Sequence, residues 1–189
     1  MIENVAGKVI ADEAQSGHWK EDLCDCFSLG VCHPAFLNAL CFPQILMAQV
    51  MTRMQLNVWG LPGTPEQVGN TFKYIFSMVI LYALIGLFFP TKVDENGDPI
   101  DGNPIYGLAG FCFMIYTLIA MTRTRKAVRE YYSIPEKKCC GVTDDCCCSF
   151  WCGCCTVNQM AKQTTDYEIN DALCCTETGL RRAVPVLVV

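Results

Sequence analysis

Fifteen of the 189 residues are cysteine, and they fall into two main sets. The first set is Cys24, Cys26, Cys32 and Cys41. The second begins at Cys139-Cys140 and continues through Asp144-Asp145-Cys146-Cys147-Cys148 to Cys152, Cys154 and Cys155. If positions 147–163 are helical, Cys148, Cys152, Cys155 and Gln159 recur at i, i+4, i+7 and i+11, which puts three thiols on one stripe. Thiolates are soft ligands that favour zinc, cadmium or cuprous copper over magnesium or calcium. A closed zinc site needs four ligands in tetrahedral geometry. Cys24, Cys26 and Cys32 are the candidates to complete it, so the expected metal set is Cys24, Cys26, Cys32, Cys148, Cys152 and Cys155, with zinc as the candidate cofactor. Neither module carries paired Cys-x-x-Cys fingers. Cysteines beside a membrane segment are also acceptors for S-acylation, and a thiol can pack as a small hydrophobe. Spacing alone leaves metal binding, acylation and packing level. Cys112 sits in an apolar run and reads as packing, whereas Cys174-Cys175 reads as acylated or loosely metal-binding.

Other chemistry is sparse. The only histidines are His18 and His33. No Gly-rich phosphate loop or nucleophile elbow occurs, and adjacency in Cys32-His33 does not make a catalytic dyad. The expectation is therefore that the protein is not an enzyme. A net charge of −5 argues against a duplex nucleic-acid partner, which calls for a basic surface. Asp94, Asn96 and Asp98 have the alternate spacing of a calcium loop, but Pro99 stands where glycine is required and Ile105 where glutamate is, so the stretch reads as a solvated turn.

The elements that must position the thiols are set by two apolar runs. Charged residues make up 17% of the chain, lean for a soluble globule, where about a quarter is usual. Positions 72–89 and 105–121 account for the deficit. At 1.5 Å rise per residue they reach roughly 27 and 25 Å, the short end for a bilayer core. Between them, positions 90–104 are rich in Gly, Pro, Asn and Asp and form an acidic turn. The fold class expected is mainly α: a membrane helical hairpin of two spans flanked by two cytosolic cysteine-rich modules. Arg123, Arg125, Lys126, Arg129, Lys137 and Lys138 follow the second run, and the positive-inside rule places that side and both termini in the cytosol. Arg125 and Arg129, four apart, face anionic headgroups in this reading. The odd cysteine count, the lack of a secretory start in positions 1–15 and the absence of an Asn-x-Ser/Thr sequon fit reduced, cytosolic thiols.

Positions 35–51 are apolar but carry Asn38, Gln44, Gln49 and a central Pro43, so they read as a kinked interfacial or partly inserted segment rather than a third span. Arg123 to Tyr132 extends the second span as a helix that Ile134-Pro135 ends. The domain division expected is a polar segment 1–17, a cysteine-rich membrane domain 18–165 and an appended tail 166–189. The last residues, Leu187-Val188-Val189, suit a strand-adding pocket on a protein partner.

The ordered set of residues resembles the placenta-specific 8 family. The first block matches through Trp19, Cys24-Asp25-Cys26-Phe27, Cys32, Cys41-Phe42-Pro43 and Gln49. The second matches through Arg129, Tyr132, Ile134-Pro135, Asp145-Cys146, the cluster from Cys148 to Cys155, and Gln159. Where the family pattern has cysteine after Pro43 and before Gln159, this chain has Gln44 and Asn158. The resemblance implies a small integral protein of the plasma or an internal membrane, linked to zinc or cadmium homeostasis, ion transport as a homo-oligomer, or control of cell number. The alternative function is an S-acylated (palmitoylated) membrane adaptor that regulates growth through protein partners held by the cytosolic modules or the tail, without metal transport.

Overall fold

A computed structural model describes residues 17–23, 25, 27–88, 92–93, 99–101, 104–136, 138–139, 142–167 and 169–181. The expected polar segment before position 17, most of the acidic turn and the end of the tail lie outside the described residues. Among the described residues six helices dominate: α1 (Pro34–Cys41), α2 (Pro43–Arg53), α3 (Pro65–Phe88), α4 (Pro104–Tyr131), α5 (Asp144–Trp151) and α6 (Gly153–Gln163). Two short antiparallel ladders, β1 (Lys92–Val93) with β2 (Pro99–Asp101) and β3 (Lys138–Cys139) with β4 (Val142–Thr143), close the turns after α3 and α4.

Prolines set where helices start. Pro34, Pro43, Pro65 and Pro104 each open a helix, where the missing N–H would have no intrahelical partner. At α1 the His33 side chain caps the start, its Nδ1 accepting from Ala35 N at 3.2 Å. Phe42, at φ −139° and ψ 59°, breaks the apolar stretch into α1 and α2, bent by 117°. That stretch therefore makes a corner rather than a straight third span. In α1 Leu37 and Leu40 are exposed, whereas α2 forms the centre of the core, with Ile45, Leu46, Met47, Ala48, Val50 and Met51 all buried.

The spans are longer than the apolar runs suggested: α3 has 24 residues and α4 has 28. Both are long and apolar enough to cross a membrane, and only 17% of each apolar window is buried. Such bare apolar surface has no counterpart on a water-soluble monomer. The spans pack on each other through Tyr82, stacked on Tyr106 at 5.3 Å and on Phe113 at 5.2 Å. Their inner ends enter the core: Val68, Thr71, Phe72 and Ile75 of α3, and Ala120, Met121, Thr124, Val128 and Arg129 of α4. Gly60, at φ +72°, lets the α2–α3 loop meet the α4 backbone; a Cβ there would lie 2.8 Å from Ala120 O. Tyr116 donates to Val58 O at 2.8 Å and holds the same loop from α4.

Helices α1, α2 and α6 pack together, with α5 against α4, so the segments before and after the spans form one body at one end of the hairpin. The chain beyond α6 also docks there. Tyr167 and Leu180 are buried. Gln49 Nε2 donates to the carbonyls of Leu173, Cys174 and Thr176 at 3.2, 2.6 and 3.0 Å. Positions 169–181 thus dock on the body where an appended tail was expected, because the buried Gln49 amide gives the carbonyls of Leu173, Cys174 and Thr176 a partner.

Candidate functional site

Helices α4, α5 and α6 enclose a charged cluster among the cysteines. Asp145, at the first turn of α5, is 2% exposed. It accepts from Arg129 Nη2 at 2.9 Å and Nε at 3.2 Å, and its Oδ1 lies 3.5 Å from Arg125 Nε. Arg125 Nη2 also pairs with Asp144 at 3.7 Å, and its Nη1 donates to Gln159 Oε1 at 2.6 Å. The Trp19 ring covers the Arg125 guanidinium at 4.5 Å, a cation–π contact strengthened by exclusion of water. The expectation that Arg125 and Arg129 face lipid headgroups is overturned. Both are buried, and the adjacent carboxylates of Asp144 and Asp145 neutralise them inside the fold.

A second clamp ties the amino-terminal strap to α6. Lys162, 4% exposed, binds the Glu21 carboxylate and donates to Asp25 O at 2.9 Å and Ser28 Oγ at 2.6 Å. Gln159 Nε2 donates to Glu21 O at 2.8 Å, and Gln163 Oε1 accepts from Lys20 N at 2.7 Å. The strap, described at positions 19–23, 25, 27 and 28 of the first block, thereby lies along α6 of the second. Leu23 and Asp25 share a small crevice with Cys155, Asn158 and Lys162.

Of the six expected metal ligands, Cys24 and Cys26 lie outside the described residues. Cys32 is exposed in the turn before α1. Cys148, Cys152 and Cys155 are half-buried, but the helix expected to run unbroken through them bends at Cys152, with φ −135° and ψ 54°. The α-type bonds from Cys152 N to Cys148 O and from Thr156 N to Cys152 O persist at 3.0 and 2.8 Å. Cys148 Sγ lies 3.2 Å from Asp144 Oδ1. Desolvation, with that hydrogen bond, pushes its pKa up to about 11, so it is a protonated donor at neutral pH. Cys154 and Cys155 have sulfurs 3.9 Å apart. Among the described residues, no three His, Cys, Asp or Glu side chains are grouped to hold a metal.

On another side, Cys41 and Cys154, both exposed, line an apolar groove of about 530 Å³. Its walls are Phe42 at the α1–α2 corner, Val79, Met114 and Leu118 of the spans, and Phe150 near the α5–α6 corner. Sequence reading missed Trp19, Lys162 and Gln163 as organising residues. Gln159 had been placed on the thiol stripe, and its bonds to Arg125 and to Glu21 show that it also ties that stripe to the rest of the body.

No curated protein and no solved structure matches the chain at a significant level. A family model described as PLAC8 family matches residues 19–163, from the tryptophan that covers Arg125 to the last residue of α6. That range takes in both cysteine sets and both membrane-length helices, and the chain belongs to the PLAC8 family.

Proposed function

We propose that this protein binds a soft divalent metal, zinc or cadmium, through thiolates on one side of a membrane, and that any transport of the metal uses an oligomer. One observation supports the reading: Lys162, Gln159 and Gln163 fasten Lys20, Glu21 and Asp25 onto α6, so that Leu23 and Asp25 border the crevice of Cys155. Leu23 and Asp25 are the chain neighbours of Cys24 and Cys26, and a donor set of sulfurs from the two blocks is the chemistry that soft metals select. Between Tyr74 and Phe88, and between Tyr106 and Thr122, the helices carry no Asp, Glu, Lys, Arg or His. A single hairpin therefore offers no ion pathway of the usual kind, which favours capture by the monomer and passage only between copies. The decisive experiment is metal content per chain by elemental mass spectrometry, after purification in mild detergent with reductant. About one zinc per chain, lost in Cys24→Ser, Cys26→Ser and Cys155→Ser, is expected. A protein that folds normally and holds no metal overturns the reading.

A second reading, an S-acylated adaptor with both termini in the cytosol, is favoured by the groove that Cys41 and Cys154 line beside the spans. Acyl–biotin exchange that labels neither cysteine removes it.

A further inference from the structure

We propose that the base of the helical body is itself sunk into the bilayer, with Phe42, Phe150 and Trp151 reaching the hydrocarbon beside the spans. The first ground is height. Above Ile75 no residue of α3 is buried, and from Tyr106 to Ile119 none of α4 is. The bare portion of the hairpin is thus about 13 residues on each helix, or roughly 20 Å at 1.5 Å per residue. A bilayer core is about 30 Å thick. Either the membrane thins to the hairpin or another apolar surface supplies the missing depth.

The second ground is continuity. The groove beside the spans has the lipid-side residues Met114 and Leu118 of α4 as one wall, and Phe42 and Phe150 as the other. Phe42 and Phe150 are 48% and 60% exposed, and Trp151, edge-on to Phe150 at 5.2 Å, is 80% exposed. Among the described residues no charged side chain lines the groove. An apolar surface that is continuous with a membrane-spanning face meets the same solvent as that face, so the occupant is the acyl chains of the bilayer. Tryptophan at such a boundary keeps its ring in the apolar layer and its N–H near the headgroups.

The test uses the full chain reconstituted in phosphatidylcholine vesicles, with and without lipids brominated near the headgroup end of the acyl chain. The emission of Trp151 is taken as the difference between wild type and Trp151→Phe, a change at an exposed position that leaves Trp19 on Arg125. The expected result is a blue-shifted component that loses most of its intensity to brominated lipid and resists aqueous iodide. A component quenched by iodide and untouched by brominated lipid overturns the proposal, and shows that the membrane thins to the hairpin instead. A component shielded from both quenchers also overturns it, and assigns the face to a second copy of this chain, to be confirmed by mass in detergent.

Discussion

Asp145 meets Arg129 through two nitrogens and Arg125 at ion-pair distance, with all three side chains almost out of water. Removing one partner of such a set strands the opposite charge. Asp145→Ala should therefore lower stability by about 3–5 kcal/mol. Asp144→Ala should cost less, since Asp144 is only partly buried. Denaturant unfolding in detergent compares the two; equal small losses would mean that the cluster is not a structural charge core. Cys148 gives a pH prediction. Its folded pKa of about 11 stands above the ordinary 9.0. Between those values the unfolded chain has lost the proton that the folded chain keeps, so stability declines as pH rises through that window. At pH 8 the Cys148 thiol should also alkylate far more slowly than the exposed Cys154, as peptide mass mapping would read; equal rates would contradict the buried, hydrogen-bonded thiol.

At the scale of elements, two polar side chains decide how helices start and where the last segment docks. Gln49 supplies the donor for three carbonyls between Leu173 and Thr176. Gln49→Leu leaves those acceptors without it, at about 1–3 kcal/mol for each group that stays buried. The expected outcome is early proteolysis between positions 166 and 181, with α1–α6 intact. Gly179 packs so closely that a Cβ would stand 2.5 Å from Gln49 Oε1, and its φ is +73°, so Gly179→Ala should loosen the same segment. His33 caps α1 only as the neutral ring, and desolvation, then Lys162, lowers its pKa from 6.5. The unfolded chain takes up that proton first. Stability from this cap is therefore present above pH 6.5 and is lost as the pH falls below it. His33→Ala should flatten that acid limb. The helix positions themselves were largely legible, because proline and apolar period mark them. The bend at Cys152 was not, because nothing in Phe150-Trp151-Cys152-Gly153 forbids a continuous helix, and packing of α5 on α4 and α6 on α2 sets the angle.

The described molecule is a membrane-length hairpin rooted in a body built by the segments before and after it. Lys162 joins those segments. Lys162→Met should free the strap, so that amides of 19–23 and 27–28 exchange faster with deuterium. If the metal reading is right, bound zinc should fall along with them while α3 and α4 keep their protection. Unchanged exchange would show that Gln159 and Gln163 hold the strap alone.

The sequence by itself determined the helical class, the two membrane-length helices and the family, because apolar run length and the order of Cys, Trp, Arg and Pro are properties of the chain read in one dimension. Tertiary structure decided the rest. It turned Arg125 and Arg129 from surface charges into buried partners of Asp144 and Asp145. It docked the chain after α6 on the body through Tyr167 and Leu180, and it tied Asp25 to Lys162 of α6. The physical reason is common to all three: a side chain's role follows from which distant group meets it when water leaves. Arg129 and Asp145 are sixteen residues apart, and Gln49 and Cys174 are 125 apart, so no local pattern could pair them.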